Sequence, residues 1–481
     1  MSRASVDFDI PLAASEIIYM FTRRTFLRHA AISTAGLVGL RTLASQGLWG
    51  AAPSARAGYG PLLPHPEGRL KVPAGFDYTI FSPTGETMDD QLLVPGGHDG
   101  MAAFPGPDGL TLLVRNHELE SEWIDRSPFG RNQERLHLVP KDLIYDRGRG
   151  VRPNLGGTAT LVFDTRTQTL RRHFLSLAGT VRNCAGGPTP WGTWISCEEV
   201  NALPEPNAEQ PHGYNFEVTP SAEPGLVRPV PLKAMGRFRH EAVAVDPQSG
   251  AVYETEDLAD GLLYRFLPDK PGNLSAGGRL QALGLADAGI TDTRNLVESQ
   301  FPIGRPLAVR WVDLGKPESP QDDLRKRGAA AGALPFARGE GAWTAEDGTV
   351  YFAMTVGGRK GLGQIFRYYP SPYEGTAREV ETPARLELFA EPNDSALLRN
   401  CDNVAVAPWG DLLICEDHGD NCRLVGVTPK GEFYLLAENL EPKCELAGVC
   451  FSPDESTLFF NVQRPGYTVA MTGPWGRRLH A

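Results

Sequence analysis

The sequence lacks a long hydrophobic run, an excess of positive charge and a collagen-like period. No segment approaches the roughly 20 apolar residues of a membrane-spanning helix, which argues against stable membrane insertion. The formal net charge is −11, so neither nucleic acid nor an anionic membrane is an expected partner. That acidity suits a protein that binds cations. No G-x-S-x-G motif is placed convincingly for a catalytic serine.

The first 57 residues resemble an export signal rather than part of a fold. The motif TRRTFLR at 22–28 contains paired arginines, an apolar stretch follows at 30–40, and Ala55-Arg56-Ala57 has the form of a cleavage site. Met20 lies just before the motif and is an alternative start. We predict a twin-arginine signal peptide over 1–57, the twin-arginine translocase as export partner, and a periplasmic or secreted mature chain. The seven cysteines are an odd number for an exported protein, so at least one stays unpaired.

One hairpin pattern recurs six times: an apolar strand, a tight turn, and a second apolar strand with polar residues at its end. The alternation of apolar with polar, β-branched and aromatic residues predicts strands. A single hairpin cannot bury both of its faces, so radially arranged blades are expected. We predict an all-β fold, a six-bladed β-propeller in one domain over 58–481. The copies span 99–119, 183–200, 241–258, 340–357, 402–419 and 447–464.

Acidic residues recur at the same two places in these copies. The start of the first strand and the end of the second strand lie side by side in a hairpin, and in a propeller these ends converge on the axis. Converging carboxylates repel one another unless cations neutralise them, which predicts a multinuclear metal site. The first strands start near Asp99, Asn183 or Cys184, Glu241, Glu340, Asp402 and Glu445. The second strands end at Asn116 with Glu118, Glu198-Glu199, Glu256-Asp257, Met354-Thr355, Glu416-Asp417 and Val462-Gln463.

Two side chains, Cys184 and Arg338, indicate which metals and which ligand this predicted site could bind. Oxygen ligands alone suit calcium, and the Cys184 thiolate adds a soft ligand that points to a transition metal as well. Arg338, two residues before Glu340, could grip a phosphate with two parallel hydrogen bonds. A salt bridge to a neighbouring carboxylate is the alternative for Arg338. The sequence does not decide which member of each acidic doublet faces the axis.

The chain resembles the PhoX family of bacterial alkaline phosphatases. The segments that carry the resemblance are RNHE at 115–118, NCAGGPTPWGTWISCEE at 183–199, GRFRHEAVAVDP at 236–247, VYETED at 252–257, RGEG at 338–341 and AGVCFSPDESTLFFNVQRPG at 447–466. The resemblance implies a six-bladed propeller that holds ferric iron and calcium ions. It implies Cys184 as the iron thiolate ligand and Arg338 as the catalytic contact to phosphate. The carboxylate ligands it implies are Glu241 and Glu340, with Glu198 or Glu199 from the CEE segment. The doublets leave Glu256 or Asp257 and Glu416 or Asp417 open in the same way, and the further candidate ligands are Asn116, Glu118 and Asp402.

The expected activity is hydrolysis of small-molecule phosphate monoesters, and hydrolysis of diesters stays open. One alternative is a calcium-dependent propeller lactonase or esterase, which would need no iron. Another is a non-catalytic binding propeller stabilised by calcium. The fourth hairpin departs from the pattern, since it ends with Met354-Thr355 where most of the others have acids.

Overall fold

The computed structural model describes residues 58–204, 208–287 and 289–477, and the predicted signal peptide lies outside these ranges. The regular secondary structure of the described part is almost entirely β-strand. It has one α-helix, α1 (Leu324–Ala330), and no helix in these ranges is both long and apolar enough to span a bilayer. Short 3₁₀ helices occupy Pro107–Gly109, Ile124–Arg126, Leu136–Leu138, Lys141–Leu143, Gly148–Gly150, Lys233–Met235, Leu274–Ala276, Ala377–Glu381 and Trp475–Arg477.

Strands β1 (Leu62–Pro64), β2 (Leu70–Pro73) and β3 (Asp77–Phe81) precede six consecutive strand groups. The first blade is β4 (His98–Pro105), β5 (Thr111–His117), β6 (Gly156–Asp164) and β7 (Thr169–Thr180). The second is β8 (Asn183–Pro188), β9 (Trp194–Glu198) and β10 (Asn215–Val218). The third is β11 (His240–Val245), β12 (Val252–Glu256), β13 (Leu263–Pro268) and β14 (Gly278–Leu285), extended by β15 (Leu307–Leu314).

The remaining blades complete the ring. The fourth is β16 (Gly339–Thr344), β17 (Val350–Met354), β18 (Gln364–Tyr369) and β19 (Arg385–Ala390). The fifth is β20 (Cys401–Val406), β21 (Leu412–Glu416), β22 (Arg423–Val427) and β23 (Phe433–Asn439). The sixth is β24 (Leu446–Phe451), β25 (Thr457–Val462) and β26 (Tyr467–Thr472).

These strands form five hydrogen-bonded sheets, because β15 pairs with both β14 and β19 and so joins the third and fourth blades into one sheet. The N-terminal strands finish two blades: β3 pairs with β26 in the sixth, and β2 pairs with β23 in the fifth. The six innermost strands, β4, β8, β11, β16, β20 and β24, each contact the next, and β24 contacts β4. The prediction of an all-β propeller is confirmed, and each predicted hairpin is the inner strand pair of one blade.

Apolar side chains fill the spaces between neighbouring blades. Between the third and fourth blades the buried Tyr253 packs with Phe352 and Tyr368. Between the fifth and sixth, Leu413 and Cys415 pack with Phe460. Successive side chains of a strand point to opposite faces, so each strand contributes side chains to the packing on both sides of its blade. Rigid packing of this kind holds the inner strand ends in fixed positions around the axis.

Candidate metal centre

Each inner strand carries a β-bulge near its start, directly after the first residue pair in the first five blades and one pair later in the sixth. In the first blade His98 lies opposite His117 and Met101 opposite Arg115, so two residues of β4 oppose the single residue Asn116. The register also shifts near the start of the inner strand in the other five blades. A bulge redirects a side chain out of the regular alternation. In five blades the first extra residue is a potential ligand, and these five bulge residues are Asp99, Cys184, Glu241, Glu340 and Asp402.

A second feature also repeats in all six blades. The residue that follows the second strand, here named the closing residue, donates its backbone N–H to the carbonyl of a residue just before the inner strand, here named the anchor residue. The N···O distances run from 2.8 to 3.2 Å. The pairs, closing residue first, are Glu118 to Gly97, Glu199 to Arg182, Asp257 to Arg239, Thr355 to Arg338, Asp417 to Asn400 and Gln463 to Glu445. In each acidic doublet the second member is therefore the closing residue.

The bulge and closing residues bring their side chains together. Potential ligand atoms form three overlapping groups, and within each group they lie within 4.8 Å of one another. The groups share Cys184 and Glu241, so they form one continuous row from the first blade to the fifth, here named the axial cluster. The three groups are Asp99 with Glu118 and Cys184, Cys184 with Glu199 and Glu241, and Glu241 with Glu340 and Asp402.

The chemistry of the axial cluster fits bound cations. Glu241 is 1% exposed and its Oε1 has no hydrogen-bond partner in the described chain. Burial, reinforced by the nearby Glu199 and Asp402, raises the pKa of Glu241 well above its usual value. Burial and Asp99 likewise raise the pKa of the Cys184 thiol. These groups would ionise together only with positive charge among them. The donor set combines hard oxygens with one soft sulfur, which suits calcium together with a transition metal.

Glu198, Glu256 and Glu416, the first members of their doublets, are not brought to the axial cluster. The Glu198 carboxylate accepts hydrogen bonds from the His212 ring at 2.7 Å and from the backbone N–H of Gly213 at 2.8 Å. Each strand alternates its side chains, so the residue before a closing residue points away from the axis. Glu198 therefore braces the loop that leads into β10, and we do not propose it as a ligand.

Glu256 and Glu416 have equivalent structural roles in their own blades. Glu256 Oε2 accepts hydrogen bonds from the Tyr264 hydroxyl at 2.8 Å and from the Leu262 N–H at 3.0 Å. Glu416 pairs with both Arg399 and Arg423, and the Arg423 Nε lies 2.8 Å from its Oε2. The predicted ligand role of these two residues loses its structural basis, because their oxygens are engaged within the blade.

Asn116 connects two blades rather than facing the cluster. Its Nδ2 donates to the carbonyls of Cys184 at 3.1 Å and Ala185 at 2.6 Å. Its Oδ1 accepts from the Trp194 indole N–H and the Ser196 hydroxyl, both at 2.9 Å. Asn116 thus fixes the bulge that carries Cys184, which makes it a positioning residue.

Asp257 and Asp417 lie at the edge of the cluster as closing residues. Asp257 is buried and accepts two hydrogen bonds from Arg338, to Oδ1 at 2.7 Å and to Oδ2 at 2.8 Å. Asp417 is exposed, and its charge adds to the burial that raises the pKa of Asp402. Both side chains are close enough to the cluster to contribute to its negative potential.

Arg338 lies beside the cluster with its side chain 39% exposed. Besides its two bonds to Asp257, it donates from Nη2 to Glu340 Oε1 at 3.1 Å. Its φ angle is +56°, and two other anchor residues, Arg182 and Asn400, also have positive φ, at +48° and +49°. Such left-handed backbone is uncommon for residues other than glycine, so its repetition marks a constrained position. The guanidinium is held by carboxylates and still reaches solvent.

Arg182 was not among the predicted site residues, and Glu445 and Gln463 were named only as strand-end residues of the sixth hairpin. Arg182 contacts Glu118 at 2.8 Å and Glu120 at 2.9 Å, and it also pairs with Glu199. The sequence holds a signal for it, since Arg182 precedes Cys184 by the spacing that separates Arg338 from Glu340. Gln463 Nε2 donates to carboxylates on three segments, Asp99 at 3.0 Å, Glu118 at 2.9 Å and Glu445 at 2.8 Å.

Comparisons with known proteins identify the family of the chain. The sequence model of the family described as alkaline phosphatase PhoX matches residues 57–162 and 152–466. The structure of Pseudomonas fluorescens PhoX in complex with vanadate, a transition state analogue, is similar with a TM-score of 0.63 and 18% identity, over 88% of this chain and 99% of that one. A gluconolactonase from Xanthomonas campestris matches with a TM-score of 0.39 and 12% identity, over 86% and 98%. No curated protein matches the chain. The chain belongs to the PhoX family of alkaline phosphatases, which are phosphoric ester hydrolases.

Proposed function

We propose that this phosphatase acts on phosphate monoesters after export, with ferric iron and calcium held at the axial cluster. The observation that carries the proposal is the position of Cys184, whose thiol belongs to two of the three potential ligand groups. A thiol is a poor calcium ligand and a good ligand for a transition metal. A mixed centre therefore explains the donor set better than calcium alone.

The donors divide by their chemistry. Cys184 with Glu199 and Glu241 would hold iron, and the all-oxygen group Glu241, Glu340 and Asp402 would hold calcium. When bound, such cations polarise phosphoryl oxygens and acidify bound water. Glu118 and Asp99, on the other side of Cys184, could take a further cation. These donors lie on bulges and at the ends of packed strands, so the site is preorganised before substrate arrives.

Arg338 would orient the phosphoryl group. Its Nη1 amino group, which neither Asp257 nor Glu340 uses, can donate charge-assisted hydrogen bonds to phosphate oxygens. Asp257 holds the Nε and Nη2 side of the guanidinium, which fixes the plane in which the remaining donors lie. Positive charge fixed next to the phosphoryl group stabilises the charge that spreads over its oxygens in the transition state.

The test uses protein purified after native export. Elemental analysis should find iron together with calcium, and p-nitrophenyl phosphate should be hydrolysed. Chelation and Cys184→Ala should each abolish turnover, and Arg338→Ala should lower kcat/KM by about 100-fold with the metal content unchanged. Bis(p-nitrophenyl) phosphate, assayed in parallel, decides whether diesters are cut. Unchanged turnover in both the chelated sample and Cys184→Ala would sink the proposal.

The same sample separates the two alternatives. A calcium-dependent lactonase would hydrolyse gluconolactone, contain no iron and tolerate Cys184→Ala. A binding propeller stabilised by calcium would turn over neither substrate. Both alternatives leave the thiol among the carboxylates without a role.

We also propose export by the twin-arginine route to the periplasm or beyond, from the paired Arg23 and Arg24 in the first 57 residues. This route carries folded protein, which allows the metals to be inserted first. Replacing both arginines with lysine should keep the phosphatase in the cytoplasm, measured by cell fractionation. Normal export of that variant would refute the route.

A further inference from the structure

Three consecutive blades place an arginine at the anchor position: Arg182, Arg239 and Arg338, each bonded through its carbonyl to a closing residue. Arg338 belongs to the proposed phosphate contact. The other two arginines line a separate cavity of about 630 Å³ beside Glu199. This volume is in the range of small-molecule sites.

The charges on the cavity wall are uneven. Arg182 is already paired with Glu118, Glu120 and Glu199. Arg239 has a looser pairing, since its Nη1 lies 4.0 Å from Glu199 Oε1 and its side chain is 40% exposed. Arg152, which also lines the cavity, is exposed. Two acids, Glu120 and Glu122, lie on the wall as well. Arg239 and Arg152 are thus the donors best placed to bind an added anion.

The cavity is linked to the axial cluster through Arg182 and Arg239, which line the cavity and contact Glu199 of the cluster. A phosphate ester whose phosphoryl group lies at the cluster must direct its leaving group away from the axis. The cavity offers space for that group, with apolar wall residues such as Val181 and Leu203 between the arginines.

We infer that this cavity is a leaving-group subsite for phosphate monoesters that carry a second anionic group, a carboxylate or another phosphate, bound by Arg239 and Arg152. The inference rests on the proposed function, because it assumes that the phosphoryl group is bound at the axial cluster. It adds a substrate class: esters whose alcohol is itself an anion, in preference to neutral alcohols.

A matched pair of substrates tests the subsite. Glycerol 3-phosphate and 3-phosphoglycerate differ in having a hydroxymethyl group or a carboxylate at the far end. The holoenzyme should have the higher kcat/KM for 3-phosphoglycerate. Arg239→Gln and Arg152→Gln should each lower the ratio of the kcat/KM for 3-phosphoglycerate to that for glycerol 3-phosphate by about tenfold, the effect of losing one charge-assisted hydrogen bond. The control is Arg279→Gln, on an outer strand with its side chain 54% exposed.

Calorimetry with non-hydrolysable ligands gives a readout that does not depend on turnover. Holoprotein should bind 3-phosphonopropionate more tightly than propylphosphonate, and Arg239→Gln should remove the difference. Equal binding of the two phosphonates by the wild type, or equal losses on both substrates in the variants, would overturn the subsite. Carboxylate-selective binding without hydrolysis of either ester would instead contradict the proposed function and leave the subsite standing.

An independent observation concerns two thiols where the fifth and sixth blades meet. Cys422 donates its N–H to the Cys444 Sγ at 3.3 Å, and its own Sγ lies 3.0 Å from the Cys444 carbonyl oxygen. Gly419 and Cys444 form an antiparallel bridge. The two side chains are buried beneath exposed residues of both loops, so local opening of either loop would expose them.

We propose that Cys422 and Cys444 form a disulfide after export. The oxidant is a disulfide. One of the two thiolates attacks it, forms a mixed disulfide and releases the first thiol of the oxidant. The second thiolate then attacks the mixed disulfide, which forms the Cys422–Cys444 bond and releases the second thiol of the oxidant. The bond would tie the loop after Asp417 to the segment of Glu445, and so clamp two residues at the edge of the cluster.

Thiol titration of denatured, exported protein tests this bond. Five of the seven cysteines should react in the wild type, all six in Cys422→Ser, and four in the control Cys450→Ser. Non-reducing peptide mapping should recover the peptides of Cys422 and Cys444 joined to each other. Seven reactive thiols after incubation with excess oxidised glutathione, or a joined pair that involves another cysteine, would overturn it.

Discussion

Glu198 and Glu199 are adjacent in the chain, yet their carboxylates lie in different surroundings. Glu198 accepts hydrogen bonds from His212, and Glu198 and Asp146 together raise the pKa of that histidine to about 9 in spite of its burial. Glu199 belongs to the axial cluster, where burial outweighs the nearby Arg182 and raises its pKa to about 8. The Glu198 carboxylate lies among hydrogen-bond donors of its own blade, whereas the Glu199 carboxylate lies next to the other acids of the cluster and to Arg182.

Replacing each member of this doublet with glutamine should have different effects, on metal binding for Glu199 and on stability for Glu198. Glu199→Gln should bind iron more weakly by more than about tenfold, while the chelated protein unfolds at an unchanged or higher temperature, because the amide avoids the cost of burying an acid whose pKa is raised. Glu198→Gln should leave metal content near normal and lower the free energy of unfolding by about 3 kcal/mol, because the charged His212 loses a buried partner. Metal analysis and thermal unfolding measure both. The reverse pattern would mean that Glu198 is the ligand.

Gln463 makes a further prediction at this scale. Its amide donates to the carboxylates of Asp99, Glu118 and Glu445. Gln463→Glu replaces that donor with another acid, so chelated protein should lose about 2 kcal/mol of unfolding free energy. Added calcium should recover most of the loss, because the new carboxylate can share the cation. A loss of the same size with and without calcium, followed by urea unfolding, would show that the amide acts only on packing.

At the scale of the strand, the bulge directs a side chain of the inner strand to the axial cluster. The bulges of neighbouring blades are in close contact, which depends on glycine. A Cβ added to Gly100 would lie 2.6 Å from the Ala185 Cα and 3.0 Å from the Cys184 carbonyl oxygen. Both atoms are backbone and have little room to move. The first bulge therefore supports the second, which carries the thiol.

Gly100→Ala should consequently disturb the metal centre through the backbone alone. We expect a loss of iron content and of any iron–thiolate absorption band, and a stability loss of about 2 kcal/mol from overpacking. Gly225→Ala is the matched control, since nothing lies within 4 Å of a Cβ built there. Full iron content with a normal spectrum in Gly100→Ala would show that β8 does not need its neighbour to hold Cys184.

The strand pattern explains which features of the fold and of the cluster could be predicted from the sequence. Alternating apolar residues and turn motifs predicted the six inner hairpins, because that signal is local. The pairing of β3 with β26 joins segments almost 400 residues apart, and no local pattern encodes it. The doublets stayed ambiguous because the alternation of side chains does not say which member of a pair at a strand end faces the axis, and the ligand groups of the fold include Glu199 and not Glu198.

At the scale of the whole molecule, the ring of blades brings many carboxyl groups together. The arginine side chains beside them offset only part of the negative charge that these groups would carry. Burial, followed by neighbouring acids, raises the pKa of Asp99, Glu340 and Glu445 well above their usual values. Arg182 and Arg338 lie at the edge of the cluster and pair with some of these acids. The propeller thus holds its carboxylates in an arrangement that is stable when they are protonated or when cations are bound.

Without metals, the free energy of unfolding should therefore fall as the pH rises. Bound metals should remove most of this pH dependence. In the unfolded chain these acids titrate near pH 4, whereas in the folded chain they keep their protons to higher pH, Glu199 to about 8. Between these values the folded state binds more protons, so the free energy of unfolding of chelated protein falls as pH rises, by up to about 1.4 kcal/mol per group and pH unit. Differential scanning calorimetry from pH 5.5 to 8.5 should show a falling Tm without metals, a smaller fall in Glu241→Gln, and a nearly level Tm with calcium and iron. A Tm of the chelated protein that rises over this range would mean that the cluster carries its full negative charge without cations.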